Sequence, residues 1–368
     1  MNILHIISSP SAGGAEIYVR DLSRQMVAQG HRVCVAYVSE AAALGRCAEF
    51  ASSFKQSLYD AGIETAEIGH AGRKNLLYGG WRLRQIIRSF QPDMIHSHLY
   101  YGLFFKLLSF SSVPLIYTHH NHRLGKGRHL YPLFKRVVKS FVGISRDCTH
   151  VLEQVGATPV TTIYNGVSVE RLQIKNNVSS TDGPLSLLAV GALSPQKNFS
   201  LLVEACARLV QQNPDMVQRF HLRIAGEGPL REPLQQQIDQ LGLNVTIELL
   251  GNRSDVPLLL HDADLFVMSS DWEGLPIALL EALLTGVPVV VTDVGGCKDV
   301  VETCQAGLIV PPGDSKAVAD AIKTLVMDSV LRRRFSENAR EKAQQFSIET
   351  ACREHLELYE EAGMRKQG

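Results

Sequence analysis

The sequence predicts an α/β protein of two doubly wound domains, each a parallel sheet with helices on both faces, facing one another across a central cleft. Three observations predict it. Short apolar runs alternate with amphipathic helical patterns along the chain, the mark of crossover connections between parallel strands. The alternation stops at residues 173–184, QIKNNVSSTDGP, a polar stretch without periodicity, and then restarts. The length of 368 residues suits two such domains better than one. These bounds give an N-terminal domain at 1–172, a linker at 173–184 and a C-terminal domain at 185–347.

In chain order, 3–7 is an apolar run closed by Ser8, Ser9 and Pro10 and reads as a buried strand. A loop at 11–14 holds the adjacent glycines Gly13 and Gly14. Ile17, Val19, Leu22, Met26 and Val27 then share a helical face, and Gly30 closes it. Residues 33–38 are the next strand. This β–α–β opening lacks the G-x-G-x-x-G spacing and so carries no nicotinamide or flavin fingerprint. Its glycine pair is either a tight turn or a place where a phosphate or acceptor group comes close. Strands follow at 63–68, 93–96, 113–118, 141–144 and 160–163, with helices at 76–90, 101–110 and 146–155. Past the linker, strands at 185–190, 220–225, 245–250, 264–268, 288–292 and 308–310 alternate with helices at 201–211, 229–241, 255–261, from 276, and at 317–327, 330–345 and 348–363. Ligands of such sheets bind beyond the carboxyl ends of the strands. In the first half Gly13, His98, His120, Ser145 and Asn165 fall at such ends.

Composition narrows the class. Hydrophobic residues make up 45% and charged residues 20%, ample for two cores. The 37 basic side chains balance 37 acidic ones, so charge gives no support for nucleic-acid binding. Seven scattered cysteines without a C-x-x-C pair point to reduced thiols rather than a disulfide or zinc framework. No apolar run reaches the ~18–20 residues that span a bilayer, and the N-terminus lacks a basic leader. A soluble or peripheral cytoplasmic protein is expected.

The densest stretch is 269–296, which reads strand end, glycine loop, helix, strand, glycine loop. Glu273 sits in the first loop, followed by Gly274. Pro276 suits the first turn of a helix. Ile277, Ala278, Leu280, Leu283 and Leu284 form an apolar stripe that places Glu281 on the first turns. A loop feeding a helix N-terminus is a natural anion site, and a carboxylate beside it can accept hydrogen bonds from sugar hydroxyls. From spacing alone, two solvated helix-end carboxylates explain Glu273 and Glu281 equally well. His96 and His98 alternate on one strand face, with His119, His120 and His122 nearby. A metal site is compatible with that spacing, as is a set of loop-end histidines satisfied by backbone. Residues 123–139 combine basic and apolar side chains in a pattern for a basic amphipathic helix, either core-packed or lying on an anionic membrane surface.

Several blocks in fixed order resemble the retaining glycosyltransferases of family 4, also called glycosyl transferases group 1, which have the GT-B fold. They are SAGGAE at 11–16, THHN at 118–121, VGIS at 142–145, YNGV at 164–167, VGALSPQKN at 190–198, IAGEGPLR at 224–231, LLGNRSDVP at 249–257 and the whole of 269–296. The resemblance spans nearly the entire chain. It implies two Rossmann-like domains, with the C-terminal helix, 348–368, crossing back to the N-terminal domain. It implies a nucleotide-sugar donor on the C-terminal domain, with a UDP-sugar favoured over a GDP-sugar. It also implies a sugar or lipid-linked glycan acceptor, retention at the anomeric carbon, and neither a cofactor nor a metal. Cell-surface polysaccharide or lipopolysaccharide assembly at the inner face of the cytoplasmic membrane is the implied setting, with 123–139 as the peripheral contact.

Residue by residue, the resemblance makes Glu281 the ribose-hydroxyl ligand. Glu273 meets the donor sugar, with the backbone of Gly274 and Leu275 beside it. Lys197 is the cation on the diphosphate, Gly14 the close-approach glycine, and His120 the histidine contacting the donor sugar. Gly251, Asn252 and Arg253 form the base-binding edge. His120, Glu273 and Lys197 are thus the expected catalytic set. The chain departs from the family at Ala192, where an arginine usually shares the diphosphate with the lysine. A nucleotide-sugar epimerase or hydrolase, or a non-catalytic nucleotide-sugar binding protein, are the competing readings on the same architecture.

Overall fold

The computed structural model describes residues 1–11, 13–44, 48–121, 124–125, 127–172 and 183–364. The chain divides into two compact units, Met1–Val167 with Ile348–Gly368, and Ser168–Ser347. Residues 168–172, assigned from the sequence to the first domain, group with the second unit. Most of the expected linker, 173–182, lies outside the described residues, as do Cys47, His122, Arg123 and Lys126.

The first unit is a seven-stranded parallel sheet, β1 (Asn2–Ile7), β2 (Arg32–Tyr37), β3 (Glu64–Glu67), β4 (Met94–Ser97), β5 (Leu115–His119), β6 (Val138–Gly143) and β7 (Val160–Thr162). The spatial order is β3-β2-β1-β4-β5-β6-β7. The second unit holds six parallel strands, β8 (Leu185–Val190), β9 (Phe220–Ala225), β10 (Ile247–Gly251), β11 (Leu265–Met268), β12 (Val289–Thr292) and β13 (Gly307–Val310), in the order β10-β9-β8-β11-β12-β13. Each is a doubly wound α/β layer. β1 and β11 show why: Ile3, Leu4, Ile6 and Ile7, and likewise Leu265, Phe266, Val267 and Met268, are buried on both sheet faces. In each unit the strand order reverses at one place, between β1 and β4 in the first and between β8 and β11 in the second. The crevice beyond the strand ends at such a reversal is where open α/β sheets bind ligands.

Three expectations need correction. The 123–139 stretch forms no continuous amphipathic helix among its described residues. It gives a 3-10 turn at Arg128–Leu130, a short helix at Tyr131–Phe134, and then β6 from Val138. Pro132 suits only a helix start, and the β-branched pair Val137–Val138 feeds the sheet. Pro276 is the residue before the helix Ile277–Thr285, not part of its first turn. That helix has no solvent face, since every residue but Ala278 is buried. Its stripe widened into a full core helix because Leu279 and Ala282 complete the circle. Three helices carried no expectation, Ala48–Asp60, the single turn Ala71–Lys74 and Cys297–Cys304. The buried face of the last is Cys297, Val300, Val301 and Cys304, so half of it is cysteine rather than a familiar aliphatic.

Candidate active site

The second unit's strand reversal gathers two loops. After β8, Gly191 and Ala192 lead into a 3-10 turn at Pro195–Lys197. Asn198 then takes the left-handed conformation at φ 43° and caps the helix Phe199–Gln212, accepting from the Leu201 N–H at 3.2 Å. A Cβ at Gly191 would lie 2.9 Å from Lys197 Cε, so the lysine stem runs across that glycine. The loop after β11 is tied to this turn. Ser269 Oγ donates to the carbonyls of Lys197 and Asn198 at 3.1 and 3.0 Å. The Asp271 N–H donates to the Gln196 carbonyl at 2.9 Å, and Asn198 Nδ2 donates to Asp271 Oδ1 at 2.9 Å.

Glu273 is held by this stitching and is 5% exposed. Lys197 Nζ donates to its Oε1 at 2.6 Å, Ser270 Oγ to the same oxygen at 2.7 Å, and Gln196 Nε2 to Oε2 at 3.1 Å. A buried carboxylate needs such donors, because desolvation would otherwise outweigh its charge. Glu281, 6% exposed on the Ile277–Thr285 helix, pairs with Arg171 at 2.7 Å. Neither carboxylate is therefore a solvated helix-end charge. Gln196, Ser270 and Arg171 were not singled out from the sequence. Their neighbourhoods were the only signal for the first two, Ser270 three residues before Glu273 and Gln196 next to Lys197, and Arg171 had none.

The glycine after β12 fixes the other wall. Gly295 adopts φ 53°, and the Gly296 N–H donates to the Gly274 carbonyl at 2.7 Å. A Cβ at 295 would press into the Glu273 carbonyl oxygen and lie 2.7 Å from that of Gly274. Gly295→Ala is therefore expected to destabilise the second unit by roughly 3 kcal/mol, from left-handed strain plus the forced backbone shift. Urea denaturation checks this, and an unchanged midpoint would show that the loop relaxes freely. Among the other expected donor-site residues, Leu275 is buried, and Gly251 ends β10 with φ 72°. Asn252 is exposed, and exposed Arg253 is engaged with Asp255 at 2.7 and 2.5 Å. Ala192 is exposed beside Gly191.

In the first unit, Gly14 opens the helix Gly14–Ala28 and is exposed, with Gly13 as its N-cap. The histidines converge at that unit's own strand reversal. His5 Nδ1 and His98 Nε2 are 3.1 Å apart, and His98 Nδ1 and His120 Nε2 are 2.9 Å apart. His96 bonds Tyr359 Oη at 2.5 Å and Thr118 Oγ1 at 2.7 Å, and Tyr18 Oη bonds His355 Nε2 at 2.9 Å. His98 is thus bonded to histidines rather than to backbone. His5, His355, Tyr18 and Tyr359 were not anticipated; a lone histidine inside the apolar run 3–7 was the signal for the first. Burial lowers His5, His120 and His355 to about 3, and pushes His96 and His98 well below the ordinary value. Nitrogens of His5, His96 and His98 come within 4.8 Å of one another. Both ring nitrogens of His96 and of His98 already have partners, so the cluster is a hydrogen-bond network as it stands.

Comparison with known proteins follows the same division. The family model described as Glycosyltransferase Family 4 matches residues 12–171, and the one described as Glycosyl transferases group 1 matches residues 170–342. A putative colanic acid biosynthesis glycosyltransferase, WcaL of Salmonella typhimurium, is 31% identical over 223 residues, 56% of this chain and 53% of that protein. Alpha-D-kanosaminyltransferase of Streptomyces kanamyceticus is 30% identical over 197 residues, 53% of this chain and 50% of that protein. The chain spans about half the length of these curated relatives. Among solved structures, Anabaena HepE in complex with UDP superposes with a TM-score of 0.81 at 22% identity, covering 98% of this chain and 100% of HepE. The fold is GT-B.

Proposed function

The chain belongs to the glycosyltransferases, its two halves matching the family 4 and group 1 models, and we propose that it is a retaining, metal-independent enzyme that moves a sugar from a nucleoside diphosphate to a glycan or lipid-linked acceptor. One observation carries this reading: buried Glu273 with Lys197, Gln196 and Ser270 around it, at the strand reversal of the second unit. Breaking the bond from the anomeric carbon to the diphosphate leaves negative charge on a phosphate oxygen. A site without a metal must meet that charge with a cation and oriented N–H groups. Lys197 is the cation, and the backbone of Gly274 and Leu275 before the Ile277–Thr285 helix supplies donors. The acceptor oxygen attacks the face the phosphate leaves, and its proton passes to that phosphate. Glu273 orients the sugar, Glu281 the ribose, and Gly251, Asn252 and Arg253 flank the base. Gly14 lets the diphosphate come close, and His120 meets the donor sugar.

The UDP in the HepE complex supports a UDP-sugar over a GDP-sugar, and the name of WcaL supports surface polysaccharide assembly. No helix among the described residues is long and apolar enough to cross a membrane. We place the protein in the cytoplasm with peripheral membrane contact through 123–139, where Leu133, Lys135 and Arg136 are exposed.

A thermal-shift screen of UDP-, GDP- and ADP-sugars tests the reading, because a ligand of the native state raises the melting temperature. A UDP-sugar is expected to give the largest rise. Glu281→Ala removes a charged acceptor from the ribose and is expected to weaken donor binding by about 1.5–3 kcal/mol. An undiminished shift in that variant would contradict the ribose assignment.

A further inference from the structure

We propose that His5, His98 and His120 form a hydrogen-bonded tautomeric chain in which His98 is the positioning residue that keeps the proton of His120 on Nδ1, as a donor to an oxygen of the bound sugar nucleotide. The proposal rests on the reading of His120 given above and adds what fixes its chemistry.

The three residues come from adjacent strands. His5 lies in β1, His98 directly follows β4 and His120 directly follows β5, and β1, β4 and β5 are neighbours in that order. His98 spends one nitrogen on each partner, at 3.1 Å to His5 and 2.9 Å to His120. A neutral imidazole has one N–H and one lone pair. All donors along such a chain must therefore point the same way. If they point from His5 to His120, His5 Nδ1 and His98 Nδ1 donate, His120 Nε2 accepts, and His120 carries its proton on Nδ1. If they point the other way, His120 donates through Nε2 and is left with a bare Nδ1.

The two ends decide between these directions. His5 Nε2 and His120 Nδ1 are both buried atoms with no hydrogen-bond partner among the described residues. One end must hold an unpaired N–H and the other an unpaired lone pair. An orphaned buried N–H is the rarer defect. His5 is 0% exposed, whereas His120 is only partly buried. The lone pair therefore belongs at His5, and the N–H at His120, where a ligand oxygen can satisfy it. Since His120 Nε2 is taken by His98, any polar contact from this ring to a substrate must run through Nδ1.

The surroundings favour neutral rings. The His96 ring lies 4.0 Å from that of His98, centre to centre, and Tyr18 meets the His98 and His120 rings edge-on at 6.4 and 6.0 Å. His355 packs on His96 at 4.9 Å. His96 does not compete for the chain, because Tyr359 and Thr118 hold both its nitrogens.

The test is 15N NMR of the histidine side chains in the whole protein, without ligand and then with the donor found in the thermal screen. Bare and protonated ring nitrogens are told apart by their shifts. His120 of the native sequence is expected to be neutral, with its proton on Nδ1. His98→Phe keeps a ring but removes both hydrogen bonds. It is expected to move the His120 proton to Nε2 and to lower kcat roughly ten- to a hundredfold with little change in the donor KM. His98→Gln offers an amide N–H to His120 and a carbonyl to His5, and is expected to restore both the Nδ1–H form and much of kcat. Should the phenylalanine variant fail to fold, the native protein and His98→Gln still decide. A proton on Nε2 in the native protein, or an unchanged His120 in His98→Phe, overturns the chain. Glycosyl transfer with the wrong tautomer refutes the chain alone, whereas the Nδ1–H form without any transfer refutes the functional reading and leaves the chain standing.

Discussion

Replacing Lys197 with alanine is expected to lower kcat/KM for the nucleotide-sugar donor by roughly 10²–10³-fold, about 2.7–4 kcal/mol of transition-state stabilisation. The ammonium sits 2.6 Å from Glu273 Oε1, with side-chain exposures of 17% and 7%. When a diphosphate arrives, the lysine can turn its remaining N–H groups to the phosphate without leaving the carboxylate, because an ammonium has three donors. The substitution therefore does two things. It removes the cation proposed to meet the developing phosphate charge, and it leaves a buried carboxylate with Gln196 and Ser270 as its remaining side-chain donors among the described residues. The second effect is expected to cost the second unit about 2 kcal/mol of stability. A double variant separates them. Lys197→Met with Glu273→Gln removes both charges and is expected to regain most of the lost melting temperature and none of the lost turnover. If Lys197→Ala keeps kcat/KM within a few-fold of the native value, the phosphate is met by another group, and the lysine serves only to hold Glu273.

The sheets were legible because parallel strands buried on both faces are continuous apolar runs, as 265–268 and 289–291 are. Helix Leu76–Phe90 was legible to the residue, since Leu83, Ile86 and Phe90 repeat at helical spacing and Asn75 caps it through its side chain. That Glu273 and Glu281 are buried rather than solvated helix-end charges was legible only in context, because the motif order removed an ambiguity their spacing leaves open. The rest of the site depends on contacts between distant segments, which no local pattern reports. Tyr359 reaches His96 across 263 positions of sequence, and His355 reaches Tyr18 across 337. Arg171 finds Glu281 from a 3-10 turn of unremarkable composition. The failure at 123–139 is of another kind. There the periodicity was real but was broken by Pro132 and by the claim of β6 on Val138, and tertiary pairing won over the local pattern.

The first unit is expected to lose stability steeply as the pH falls below about 6.5, while the second unit does not share this loss. His5 and His355 are 0% exposed, and burial holds both near 3, against about 6.5 for an unfolded histidine. Their folded values are lowered, so both states are neutral above pH 6.5 and nothing is lost there. Below it the unfolded chain binds protons that the folded unit refuses, and stability falls until the folded rings protonate near pH 3. Each unit of pH costs up to ~1.4 kcal/mol per histidine, so these two remove about 4 kcal/mol by pH 5. His96 and His98, also driven down by burial and then by the neighbouring histidines, act in the same direction. Against a typical domain stability of about 5–15 kcal/mol, that is enough to unfold the unit in mild urea. The second unit's histidines, His221 and His261, are not buried. The two tryptophans provide separate reporters, since Trp81 lies in the first unit and Trp272 in the second. In single-tryptophan versions, the Trp81 transition is expected to move to much lower urea between pH 7.5 and pH 5, with the Trp272 transition moving far less. His5→Gln removes one of the ionisable rings and is expected to shrink the pH-dependent loss by about 2 kcal/mol. A Trp81 transition at the same urea concentration at both pH values would mean that water reaches these rings in the folded state, and that their hydrogen bonds survive protonation.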